Sequence, residues 1–481
     1  MSIRILLCFA FVIGFSVYAY RNWFVSLCAA IALMAVLEHP DMPKSIGDIQ
    51  GLNPWNLLML NVILAWMRNR RREGLVWDMP GYVVVLLVFY SLVILWGFVR
   101  LVLDHALLDE DETIMGYNSL AWSVSEYLVN CFKWVLPGIL LFDACRTRQR
   151  MTIALAVVLS VYFLLALQTI KHMPLSSVAA SGAELSRRAN KVLSRSIGYH
   201  RVNLSMMLSG ASWAVLTTLP LVRRRRNQLL VIGAAATISL GQALTGGRAG
   251  YVTWGVLGVL LCLLRWRWLF PYIPLTVVGI CILLPGVRER MLQGFGNRSS
   301  SGVVTQTDEY EITSGRTIAW SYVIPMIWKS PLVGYGRQAM IRTGTYQKIM
   351  DDYQGGETFP HPHNAYLEML LDNGLVGFIL VIPFYLVVVF LSVRLLLDRA
   401  DPLFAAVSGS CFALVVALLI AAMGSQTFYP REGSVGMWAA IGLMLRLSLE
   451  RSRARSTGTS LFGETDRPSD AVLPEEATRY A

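Results

Sequence analysis

The stretch Phe359-Pro-His-Pro-His-Asn-Ala-Tyr-Leu-Glu-Met-Leu-Leu-Asp-Asn-Gly-Leu-Val-Gly377 holds two of the chain's six histidines, His361 and His363. An imidazole with a pKa near 6.5 is suited to taking the proton from a hydroxyl as that hydroxyl attacks. Cations with a phosphate-binding character stand elsewhere in the chain. Thr245-Gly-Gly-Arg-Ala-Gly250 pins Arg248 in a tight turn, with glycines on both sides that permit close approach of a ligand. The run from Arg195 to Asn203 offers Arg195 and Arg201, and Thr313-Ser-Gly-Arg316 offers Arg316. A guanidinium holds two phosphate oxygens in one fork and keeps its charge at any physiological pH. His363 and Arg248 are the catalytic candidates; Arg195, Arg201, Arg316, Asn364 and Tyr366 are candidate substrate contacts, and His361 is a supporting or rim residue.

The elements around these residues can be read from spacing. Tyr366, Leu367, Leu370 and Leu371 form an apolar stripe suited to a short helix on a membrane surface, and Asn373-Gly374 predicts a break before the chain enters the bilayer. Ile318, Tyr322 and Met326 predict an amphipathic helix from Arg316 towards Lys329. Residues 171–201 carry six Lys and Arg against a lone Glu184 and predict an amphipathic surface helix. Gly334-Tyr-Gly336 follows no strand and precedes no Lys-Ser/Thr, which rules out a nucleotide loop. Glu309, Glu311, Asp351, Asp352 and Glu368 are expected to be solvated acids, one of which could orient His363.

Composition fixes the class. The chain has 481 residues, 55% of them hydrophobic and 15% charged, which describes a polytopic, all-α helical membrane protein. Short basic clusters between long apolar runs exclude an outer-membrane barrel. The net charge of +11 is largely topological and does not indicate nucleic acid. Seven scattered cysteines give no paired framework, so neither a disulfide nor a metal site is expected, and no cofactor.

The apolar runs predict about twelve or thirteen spans, residues 3–20 being read as the first of them and not as a cleaved signal. Basic clusters at 68–72, 146–150, 223–226, 265–267 and 446–455 are expected in the cytoplasm, which puts 286–363 outside. The expected organisation is an N-terminal transmembrane region 1–227, a motif region 228–390 with a periplasmic loop 286–363, C-terminal helices 391–450, and a disordered cytoplasmic tail 451–481.

Arg316…Trp320, Pro331-Leu-Val-Gly-x-Gly336 and His363-Asn364 followed after nine residues by Gly374-x-x-Gly377, behind a Gly-Arg turn, form an ordered set. This set resembles the O-antigen ligase/polymerase family of bacterial integral-membrane glycosyltransferases. The resemblance implies an all-helical, metal-independent enzyme of the inner membrane. It would take a glycan from an undecaprenyl-diphosphate carrier on the periplasmic side and join it to a glycan, lipid A-core or protein acceptor. The essential histidine and arginines of such ligases would correspond to His363 and Arg248, and also to Arg195 and Arg316. Phe378 stands where ligases of the family often have Thr or Tyr, so polymerase and ligase both remain open.

That chemistry is consistent with the residues. Fixed arginines stabilise charge on a departing diphosphate, and no paired carboxylates suggest a covalent glycosyl intermediate. A transporter or flippase is the alternative, but it predicts repeated spans with polar residues at the midplane, whereas the polar signals here gather at one face. A non-enzymatic scaffold for polysaccharide assembly is a further alternative.

Overall fold

A computed structural model describes residues 3–46, 51–104, 120–178, 181–293, 313, 315–353, 360–424 and 428–462. The acids Glu309 and Glu311, and the tail 463–481, lie outside the described residues.

The described chain is all-α. In order come α1 (Ile3–Tyr18), α2 (Trp23–Leu37), α3 (Pro54–Arg72), α4 (Gly81–Leu103), α5 (Leu120–Ala144), α6 (Arg148–His172), α7 (Gly182–Ser196), α8 (Arg201–Leu216) and α9 (Arg225–Leu244). Then follow α10 (Arg248–Leu264), α11 (Ile273–Leu283), α12 (Pro285–Leu292), α13 (Arg316–Lys329), α14 (Ala339–Arg342), α15 (Thr345–Asp352), α16 (Ala365–Leu397), α17 (Pro402–Ala421) and α18 (Val435–Thr457).

Among the described residues, seven helices are long and apolar enough to cross a membrane: α4, α5, α6, α8 with its 3-10 extension to Leu221, α9, α16 and α17. A helix occupies every predicted apolar run, and seven of them, or eight counting one bent pair, meet this measure against the twelve or thirteen spans expected. The difference has physical causes. Helices α1, α2 and α10 are shorter than a full crossing requires, and the segment Arg267–Leu283 bends by 103° into α12 at Pro285. Helix α3 ends in Arg70, Arg71 and Arg72. The boundary expected at 450 is also passed, since α18 continues to Thr457.

Helix α17 is the centre of the bundle, with 83% of its most apolar window buried, and it packs on α8, α16 and α18. Its C-terminal carbonyls, which have no partner further along the helix, are taken up by the start of α16. Ala365 N–H donates to Ala422 O at 2.7 Å and the Tyr366 hydroxyl to Leu419 O at 2.8 Å.

Helix α16 breaks at Gly374 (φ 63°, ψ −167°), where the sequence predicts it. The break frees backbone groups on both sides, and the Pro331–Gly336 segment satisfies them. Tyr335 N–H donates to Leu371 O (2.9 Å) and Gly336 N–H to Asp372 O (2.6 Å), while Leu375 N–H and Val376 N–H donate to Pro331 O (2.8 Å) and Leu332 O (3.0 Å). A Cβ at Gly374 would collide with the Leu332 backbone, so the glycine is needed for both its φ and its contact. The two motifs are thus halves of one backbone joint.

Candidate active site

Of the five long helices among the described residues that begin with an arginine, α6 and α9 start on Arg148 and Arg225, and the other three are α8 with Arg201, α10 with Arg248 and α13 with Arg316. Their N-cap residues, His200, Gly247 and Gly315, provide no side-chain hydrogen bond to the helix amides. Elsewhere in the bundle Asn22, Asn53, Thr147, Ser181, Asn364 and Asp401 do cap their helices. An arginine at a helix start adds a full charge to an end already positive from the peptide dipoles. The three ends converge. Arg248 and Arg201 lie within electrostatic reach of Arg316, and their charges, after burial, pull its pKa below the ordinary arginine value. Gly424, just past the end of α17, has both Ala249 and the Arg316 guanidinium against its Cα.

The Gly246 turn (φ 65°) holds this geometry, since its carbonyl accepts from Arg201 Nη1 at 3.0 Å and from Arg290 Nε at 3.3 Å. Arg248 Nη1 donates to Gln293 O at 3.1 Å. The expectation that the glycines around Arg248 admit a ligand is corrected in part: Gly247 and Gly250 lie against Ser205 of α8, and a Cβ at Gly250 would overlap its hydroxyl. Ser205 Oγ and Ser209 Oγ donate to Gly247 O (3.2 Å) and Gly250 O (2.8 Å), which locks α10 onto α8.

His363 is half-buried beside this cluster in a left-handed conformation (φ 49°), uncommon for a residue with a Cβ. Its backbone N–H donates to His361 Nδ1 at 3.3 Å, and the two rings lie 4.1 Å apart. Between them, Pro362 O accepts from Trp320 Nε1 at 2.9 Å, so α13 braces the histidine turn through the Trp320 of its motif. Burial lowers the His363 pKa first, then His361 and Arg316, with His200 adding to them and Glu368 opposing; the result is about 3. The imidazole is neutral at pH 7. Asn364 caps α16 by accepting from Tyr366 N–H and Leu367 N–H, and Tyr366 packs its ring 5.0 Å from Phe428. These contacts make Asn364 and Tyr366 builders of the turn.

Arg195 does not join the cluster through any described contact. It is exposed on α7, and it makes no side-chain hydrogen bond or ion pair among the described residues. Arg201, named beside it, is the residue that reaches the Gly246 turn.

Glu368 is a second correction. It was expected to be solvated, but it is paired with Arg337 at 2.8 Å, and Arg337 also meets Asp372 at 3.2 Å. The Arg337 guanidinium lies 3.5 Å from the Tyr429 ring centroid, and the Tyr429 hydroxyl donates to Asp372 Oδ2 at 3.2 Å. Burial works against the charge on Arg337, but Glu368, with Tyr429 and Asp372, raises its pKa well above the ordinary value. Sequence reasoning missed Arg337. The available signal was its position directly after Gly336, together with Glu368 and Asp372 one helical turn apart.

Residues 206–382 match the family model described as O-antigen ligase. A presumed polysaccharide ligase of Rickettsia conorii is 26% identical over 214 residues, covering 43% of this chain and 48% of the relative. A presumed polysaccharide ligase of Rickettsia felis is 26% identical over 210 residues, covering 43% and 49%. The chain thus spans about half the length of the curated relatives it matches. The matched stretch contains Arg248, Arg316, Arg337 and His363 together with both halves of the backbone joint. Residues 206–382 are thus similar to the O-antigen ligase family, within an all-α, multi-pass membrane protein.

Proposed function

We propose that this chain is a metal-independent, inverting glycosyltransferase acting on the periplasmic face of the bacterial inner membrane. Its donor is a glycan on undecaprenyl diphosphate, and its acceptor is a second glycan, a lipid A-core or a protein. The observation that carries this reading is the meeting of three helix starts, each beginning with arginine and lacking a side-chain cap, next to a neutral histidine. Such an arrangement suits a polyanion through both backbone amides and guanidiniums.

In the proposed step the acceptor oxygen forms a bond to the anomeric carbon as the bond from that carbon to the diphosphate oxygen breaks. The bonding electrons leave with the diphosphate, which departs on its lipid. Arg248, Arg316 and Arg201 balance the growing charge. The acceptor proton goes to His363, whose ring is unprotonated and therefore able to accept it. Binding of the diphosphate neutralises Arg316, one of the charges that depress His363, and so raises its basicity where the proton is released. A single displacement inverts the anomeric centre.

The names of the two rickettsial relatives favour ligation over polymerisation. The test is a strain in which the native gene is replaced by Arg248→Ala. The reading expects loss of mature surface glycan, with the variant present in membranes at normal level. Accumulation of long lipid-linked chains identifies a ligase, and single repeats still attached to acceptor identify a polymerase. Normal glycan in that strain would refute the assignment.

A further inference from the structure

A groove of about 510 Å³ runs between α1 and α6, with α2 as its floor, a volume within the roughly 300–1,000 Å³ typical of ligand clefts. Its walls are apolar: Leu7 of α1 is 63% exposed, and Leu33 of α2 is buried at the base. At its mouth stand Arg4, His39, Lys171 and His172. Arg4, His39 and Lys171 all lie within electrostatic reach of His172, so the four form one cluster. Among the described residues one carboxylate pairs with them, Asp41, at 3.2 Å from Arg4 and 3.7 Å from His39. Lys171 has no ion pair among the described residues. The neighbouring Lys44 is neutralised by Glu38 at 3.0 Å. Among the described residues the mouth therefore carries two permanent cations against one carboxylate.

The groove opens where α1 is exposed and apolar, at Ile3 and Leu6 as well as Leu7. It lies at the same end of the bundle as the arginine cluster, because Glu38, beside its rim, packs against Gly198 two residues before His200. An apolar slot facing the membrane, with a cationic mouth at the helix ends, matches a molecule with an acyl chain and an anionic phosphate head. We propose that this groove is a binding site for one acidic phospholipid, its phosphate held by Arg4 and Lys171 and one acyl chain lying over Leu33. The proposal does not depend on the transfer reaction.

The test is native mass spectrometry of the full-length protein in detergent, titrated with phosphatidylglycerol and with phosphatidylcholine of the same acyl chains. The expected result is one phosphatidylglycerol bound on the order of 30-fold more tightly by the wild type than by R4Q/K171Q, from about 1 kcal/mol for each basic residue. Phosphatidylcholine should bind both proteins alike. Ala32→Trp, which fills the groove and leaves the cations in place, should also lose the phosphatidylglycerol. Equal phosphatidylglycerol affinity in the wild type and R4Q/K171Q, or unchanged affinity in Ala32→Trp, would overturn the assignment.

Discussion

Tyr335 donates its backbone N–H to Leu371 O at 2.9 Å, across the point where α16 leaves helical geometry. With its three companion bonds, this contact makes the Pro331–Gly336 segment the second half of the joint at which α16 breaks. A break in a membrane helix exposes amides and carbonyls that lipid cannot satisfy, so the joint must supply their partners.

Gly374→Ala should therefore destabilise the protein by at least about 1–2 kcal/mol for the left-handed conformation, with a further cost from the collision with Leu332. Thermal unfolding in detergent should detect it. Gly279, whose Cα faces open space, serves as the control: Gly279→Ala should leave the melting temperature unchanged or slightly raised.

The joint was half legible in the sequence. Asn373-Gly374 announces a helix stop, and Arg316 to Lys329 reads as a helix from its apolar spacing; both are observed. What periodicity cannot carry is the partner of a polar group. Arg337 meets Glu368 and Asp372 across 31 and 35 residues and Tyr429 from still further along the chain, contacts that exist only once α16 and α17 have packed. The same limit applies to glycine. Gly250 in a Gly-Arg turn suggests room for a ligand, but the room is taken by Ser205 of another helix. Arg248 was readable from its turn, which is too short to place the arginine away from the ends of α9 and α10. Arg195, with a whole amphipathic helix around it, was not.

Removing Arg337 should be far more costly than removing a surface arginine. Its side chain is 4% exposed, and Arg337→Ala would leave Glu368 and Asp372 buried without their cation. A loss of about 3–5 kcal/mol is expected. Adding Glu368→Gln and Asp372→Asn to Arg337→Met should recover much of it, and chemical denaturation of the three proteins would measure the difference.

His363 also predicts a pH dependence. Its folded pKa of about 3 lies below the ordinary 6.5, so between those values the unfolded chain binds the proton and the folded chain does not. Stability should fall as pH drops from about 6.5 towards 3. His363→Gln should flatten part of that decline, seen as a smaller change in melting temperature from pH 7 to pH 5. Inorganic pyrophosphate should reduce the wild-type decline by allowing His363 to hold its proton.

The central claim is that Arg201, Arg248 and Arg316 act together on a departing diphosphate, whereas Arg195 stands apart. The most direct measurement is the rate of glycan transfer by purified protein in lipid nanodiscs, from an undecaprenyl-diphosphate-linked donor, for each arginine replaced singly by alanine. The account predicts losses of about 10²–10³-fold for Arg248→Ala and Arg316→Ala, the usual effect of removing one charge-stabilising donor, and a rate within about twofold of wild type for Arg195→Ala, as expected of a surface position. Wild-type rates for Arg248→Ala and Arg316→Ala, or a loss in Arg195→Ala equal to theirs, would contradict it.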